Sequence, residues 1–208
     1  MKLKKKPKII LITLLIIIGL VTISLIGYKL FFNKAQVKEV KILNTIKEYG
    51  YQLKDTKSKR YKEMFAELET ILKANKVNEE EYVKKISEMF IYDFYSLDDK
   101  VAKTDVGGVD FIYQPILNNF LENAENTYYK YVESNIYNDR KQQLPIVDEI
   151  TIDNVDTEEY AYEKTKDEKA YKVNVSWTYT KADYDDYQNK ATLVFIHDGK
   201  KLSLVELK

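Results

Sequence analysis

The sequence predicts an α+β fold carried on a membrane anchor, and three observations predict it. Residues 9–32 form an almost unbroken apolar run behind a lysine cluster. From about residue 35 to 132, apolar residues recur at helical spacing. After Pro145 they alternate with polar residues at a period of two. Helices followed by antiparallel strands place the helices on one face of a sheet.

The anchor comes first. Lys2, Lys4, Lys5, Lys6 and Lys8 precede a run from Ile9 to Phe32 that only Thr13, Thr22, Ser24, Lys29 and the glycines interrupt. As a helix it is ~36 Å long, enough for a hydrocarbon core of ~30 Å. It exceeds the ~7–15 residues of a signal-peptide core, and bulky residues stand where a peptidase needs small ones. The lysines hold residues 1–8 in the cytoplasm as a basic tail and place residues 33–208 outside the plasma membrane. The expected partner of residues 9–32 is the lipid bilayer.

Val37, Val40, Leu43, Ile46 and Tyr49 read as a first helix over 35–49, and Tyr61, Phe65, Leu68, Ile71 and Leu72 as a second. Together they make residues 33–77 a helical stalk or connector. Asn78 reads as an N-cap, with Glu79, Glu80 and Glu81 where the helix dipole favours acids. That helix runs to about Tyr95. Val109–Tyr113 reads as a short strand behind Gly107-Gly108, a pair expected to need positive φ. Pro115 then opens a helix whose stripe is Leu117, Phe120 or Leu121, Ala124, Tyr128, Tyr131 and Val132. Four strands follow: 149–154, 159–163, 171–179 and 191–197, with Asp198-Gly199 turning into a closing strand over 202–207. Residues 78–208 are therefore expected to be an extracytoplasmic α+β domain.

This order of elements resembles the nuclear-transport-factor-2-like cone fold of membrane-anchored extracytoplasmic proteins of Gram-positive bacteria. The stripe Leu117–Val132 and the run Ala170–Leu207 carry the resemblance, which covers residues 78–208. It implies helices packed on a curved antiparallel sheet. Some such domains are assembly factors of type IV secretion and conjugation machines, so it also implies a domain that binds partner subunits. It transfers no catalytic residue.

Composition narrows the function. The chain has no cysteine, which excludes disulfides, thiolate metal sites and cysteine nucleophiles. Overall charge is zero, but residues 1–34 hold seven lysines and no acid. The remainder carries 26 basic against 33 acidic residues, which argues against nucleic acid as a partner. His197 is the single histidine and cannot build a multi-histidine zinc site. It reads as a polar strand-end residue, with pairing to Asp198 or another acid, as a general base, the catalytic alternative. Asp183, Asp185 and Asp186 fail the EF-hand spacing, and Asp153, Asn154, Asp156, Glu158 and Glu159 read as an acidic turn. No cofactor is implied.

Tyrosine is unusually frequent, with 18 copies. It combines contact area with a polar tip and is enriched at interfaces. Tyr160, Tyr162, Trp177, Tyr179, Tyr184 and Tyr187 are the candidate partner or ligand contacts. The expected function is a non-enzymatic, single-pass scaffold of a cell-envelope, secretion or conjugation complex that binds protein partners or itself. A ligand-binding or sensor module with an aromatic-lined pocket is the alternative. An enzyme using Asp98, Asp105 or Asp110 is the third reading.

Overall fold

A computed structural model describes residues 15–25, 28, 40–162, 165–184 and 186–208. The chain divides into two units, one of residues 1–38 with Ile136–Asp139, the other of Glu39–Asn135 with Arg140–Lys208.

In the first unit, residues 15–25 are helical (α1). Its large aliphatic side chains point to every side and are each 52–68% exposed, from Ile18 and Val21 to Ile23. Thr22 returns its hydroxyl to the Gly19 carbonyl at 2.8 Å. No helix among the described residues is long and apolar enough to cross a membrane. The rest of the span expected over 9–32 lies outside the described residues.

The second unit is α+β, with helices packed on antiparallel sheets. Its elements are β1 (Ile42–Ile46), β2 (Tyr51–Lys54), α2 (Lys59–Leu72), α3 (Glu79–Tyr95), α4 (Leu117–Asn126), β3 (Val147–Tyr162), β4 (Thr165–Tyr179), β5 (Lys190–Asp198) and β6 (Lys201–Leu207). β3 to β6 form one antiparallel meander in chain order, and β1 and β2 a separate hairpin.

Local chemistry sets the helix starts. The Ser58 hydroxyl accepts from the Tyr61 N–H at 3.2 Å and opens α2. The Asn78 side chain accepts from the N–H groups of Glu80 and Glu81 and opens α3, with three acids in the first turn as expected. The second half of α3 is buried on every face, from Met89 to Tyr95. It runs through the core between α2 and strands β3 and β4. The inner sheet face contributes Val173, Val175, Trp177, Leu193, Phe195 and Leu204 to that core. Ala170, Val194, Ile196 and Val205 form a smaller cluster with Tyr113 and Tyr160. β5 thus buries side chains on both faces, as its unbroken apolar run predicts.

Four elements differ from expectation. In place of a helix over the described part of 35–49, Ile42–Ile46 is a strand paired with Tyr51–Lys54. A short apolar run at three-residue spacing fits either period, and Gly50 (φ 73°) closes a hairpin instead of separating helices. This hairpin and α2 share one core with the rest of the unit. Val109–Phe111 is a single 3-10 turn, and only Ile112 touches the sheet, as an isolated parallel bridge to Leu204. α4 stops at Asn126, six residues before the stripe ends, because Asn123, Asn126 and Thr127 are weak helix formers. The Tyr129 N–H turns back to the Ala124 carbonyl at 2.9 Å. Finally, the two short strands expected at 149–154 and 159–163 are one strand, β3, with bulges between Ile152 and Asn154 and between Glu158 and Tyr160. The acidic turn expected at 153–159 lies inside it.

Candidate functional site

Two places in the second unit gather side chains at an accessible surface. The first is at the end of the sheet where β5 turns into β6. His197 is the penultimate residue of β5, and Asp167 reaches it from β4. The Asp167 carboxylate accepts the His197 backbone N–H at 2.7 Å and faces Nδ1 of the ring at 2.8 Å. An ionised carboxylate is acceptor-only, so Nδ1 carries the proton. The opposite ring nitrogen, Nε2, lies 3.5 Å from Glu79 at the start of α3, and the Tyr171 hydroxyl donates to the same Glu79 oxygen at 3.1 Å. Partial burial raises the Asp167 carboxyl. Hydrogen bonds from the His197 and Lys169 backbone and the His197 ring outweigh that and hold it below the ordinary range. Burial and Glu79 push the Tyr171 hydroxyl up to about 12.

This cluster borders an open cleft of about 450 Å³ lined by Glu48, Tyr49, Tyr82, Glu79, His197 and Lys200. Glu48 is paired with Lys200 at 2.6 Å, so the two charges at this rim neutralise each other. Sequence reasoning placed His197 at a strand end and named Asp198 or another acid as its partner. Asp198 instead lies 3.5 Å from the Ser203 hydroxyl. The true partner, Asp167, is a cross-strand neighbour that no local spacing reveals.

The second place is the free edge of β6 beside α4. Most of that edge is already occupied. The Tyr82 hydroxyl accepts the Leu202 N–H at 3.1 Å, and Tyr51 donates to the Leu202 carbonyl at 3.4 Å. The Tyr113 N–H donates to the Leu204 carbonyl at 2.9 Å. Thr192 and Lys208 exchange both backbone bonds, so Lys208 faces β5 and the alternation turns Leu207 outward. There a cleft of about 390 Å³ opens, lined by Phe94, Phe120, Ala124, Val205 and Leu207, with Asn119 and Asn123 at its rim.

The tyrosines chosen from sequence scatter. Trp177 and Tyr179 are buried on the inner sheet face, with the Trp177 ring tilted 38° against Tyr95 at 4.3 Å between ring centres. Tyr179 donates to the Gln188 carbonyl at 2.6 Å. Tyr184 and Tyr187 cover Tyr179 edge-on, and of these three only Tyr187 is exposed. Tyr160 packs on the smaller cluster. Tyr162 ends β3, and its side chain lies outside the described residues, as does Asp185. Asp183 sits in a 3-10 turn, Ala182–Tyr184. Among the described residues no three His, Cys, Asp or Glu side chains are placed to hold a metal ion. Asp98 and Asp105 are exposed, Asp105 accepting the Val101 N–H at 3.0 Å, and Asp110 is half-buried. Comparison with family models, with curated proteins and with solved structures returns no match.

Proposed function

We propose that this chain is a single-pass plasma-membrane protein that presents its α+β unit outside the cell as a protein-interaction domain of a cell-envelope, secretion or conjugation complex. The observation that carries the reading is α1. Its aliphatic side chains are exposed on all faces rather than along one stripe. Each such side chain left in water forfeits about 1.5–3 kcal/mol of burial. A helix apolar all round belongs in a core or a bilayer. The lysines before it and the acidic excess after it fit an inside-to-outside orientation.

The β6 edge supports the interaction part. An extended partner segment hydrogen-bonds to an outward strand edge and sets an apolar side chain into a neighbouring pocket. Leu207 beside the Phe94–Phe120 cleft offers both. The reading is non-enzymatic, because His197 sits between two carboxylates rather than against a hydroxyl nucleophile. The cone architecture belongs to the same proposal and rests on helices preceding a bulged, four-stranded antiparallel sheet.

Membrane extraction and protease shaving test it. The chain should resist alkaline carbonate, dissolve in detergent, and lose its α+β unit to protease added to intact cells. Survival of that unit in intact cells, with digestion after lysis, overturns the orientation. Partners captured by photo-crosslinking from position 123 should be lost when Asn119 is changed to Lys.

The cleft beside His197 favours a second reading, a sensor that binds a small polar ligand between Tyr49 and His197. A ligand-dependent rise in melting temperature that His197→Ala removes would support it.

A further inference from the structure

Two carboxylates flank the His197 ring at two different lengths. On one side Asp167 accepts the Nδ1 hydrogen at 2.8 Å. The same carboxylate accepts the backbone N–H groups of His197 at 2.7 Å and Lys169 at 2.9 Å, so it is fixed in place and the ring with it. On the other side Nε2 lies 3.5 Å from Glu79 Oε2. A charge-assisted hydrogen bond between an imidazolium and a carboxylate closes to about 2.7–2.9 Å. The Asp167 contact has that length and the Glu79 contact does not. With the proton on Nδ1, the neutral ring turns the Nε2 lone pair towards Glu79. Two electron-rich atoms then face each other, and a cation between them removes the repulsion.

We propose that His197 Nε2 and Glu79 Oε2 bind a divalent transition-metal cation of the zinc class. Zinc stands about 2.0–2.2 Å from an imidazole nitrogen or a carboxylate oxygen, and a tetrahedral angle sets two such ligands about 3.4 Å apart. The 3.5 Å between Nε2 and Oε2 matches that edge. Imidazole beside carboxylate suits zinc, copper or nickel, whereas calcium and magnesium take oxygen ligands. Both ligands are themselves held. Asp167 on Nδ1 completes a carboxylate–histidine–metal arrangement, which fixes the tautomer and raises the basicity of Nε2. The Tyr171 hydroxyl donates to Glu79 Oε2 at 3.1 Å, and its ring lies 5.9 Å from the His197 ring. A carboxylate oxygen has two lone pairs, so Oε2 keeps that bond and still faces the metal.

The surrounding charge favours a cation. Glu80 and Glu81 share the first turn of α3 with Glu79. Against these three carboxylates stand Lys76, on the adjoining cleft, and the positive end of α3, worth about half a unit charge. Lys200, on the same cleft as His197, is offset by Glu48 at 2.6 Å. His197 and Glu79 both line that cleft, so the coordination positions the protein leaves go to water or to a donor atom of a bound molecule. The proposal rests on this geometry and on neither reading of function.

The experiment is a calorimetric titration of the full chain, made without a histidine tag, with zinc. The chain has no cysteine and no second histidine to bind the ion elsewhere. One zinc per chain is expected. His197→Gln should abolish binding, and Glu79→Gln, at an exposed helix start, should weaken it. Asp167→Asn should weaken it about 10–100-fold at unchanged stoichiometry. Far-UV circular dichroism checks that each variant is folded. Proton–nitrogen NMR of the single histidine should show Nε2 shifting on zinc addition while Nδ1 keeps its proton. A folded wild-type chain with no saturation below about 1 mM zinc overturns the site. So does binding that survives both His197→Gln and Glu79→Gln, and so does an imidazole that stays protonated on both nitrogens in excess zinc. Full affinity in Asp167→Asn overturns the positioning role of Asp167.

Discussion

At Gly107 one atom decides whether the loop after α3 can dock. A Cβ built there would stand 1.9 Å from the Asp93 carbonyl oxygen, which is backbone and cannot swing aside. Its neighbour Gly108 adopts φ 74° and lies against the Phe90 ring. The pair lets the chain wrap over Asp93 so that the Gly107 N–H reaches the Tyr129 hydroxyl and the Gly108 N–H reaches the carboxylate. Gly107→Ala should therefore destabilise the fold by about 3 kcal/mol, the upper range of overpacking, as read from a denaturant midpoint. Asp167 makes a different prediction. Its folded-state carboxyl lies below the ordinary range, so the stabilisation it supplies is complete above the unfolded value of about 3.9 and drains away as pH falls through the folded value. Asp167→Asn should cost about 1–2 kcal/mol at pH 7, the worth of hydrogen bonds to a charged acceptor. Urea titrations of both proteins at pH 7 and pH 3 check it: the gap between them should narrow in acid.

At the scale of elements, α3 depends on its cap. Asn78 satisfies two N–H groups that have no partner inside the helix. Asn78→Ala should lower stability by about 1 kcal/mol, visible as a drop in melting temperature. The β6 edge depends on two tyrosines. Tyr51 and Tyr82 hydroxyls stand 2.6 Å apart in the core and together cover the Leu202 backbone. Tyr82→Phe should cost about 1–3 kcal/mol, because it leaves a buried N–H without an acceptor. The opposite edge, β3, is guarded by charge instead: Asp148, Glu149, Asp153, Asp156 and Glu159 are exposed along it.

For the whole molecule, the division into two units carries the prediction. The main core, with the hairpin, the three later helices and the four-stranded sheet, belongs to the unit that begins at residue 39. A chain beginning at Val40 should be recovered without detergent and melt within a few degrees of the full chain. Aggregation of that shortened chain, with the full chain folded in detergent, would show that the first unit contributes to the core.

Much of this was legible in the residues themselves. The capped start of α3, the apolar stripe of α2, the alternation of β4 and the Asp198-Gly199 hairpin follow from backbone propensity and periodicity, which are local. So does the uniform greasiness of residues 9–32. The β1 strand, the early end of α4 and the joining of two short strands into β3 were not legible, because short segments satisfy either period until a neighbour pairs with one face. The same limit governs the sites. His197 stood out as the single histidine, yet its partners Asp167 and Glu79 are 30 and 118 residues away. Lys57, Asp93 and Lys100, ion-paired in the core, looked like ordinary charges until folding removed their water. Sequence determined which segments must leave water and which helices could start where they do. Tertiary structure alone decided which charges meet, because pairing across a core is fixed by packing rather than by spacing along the chain.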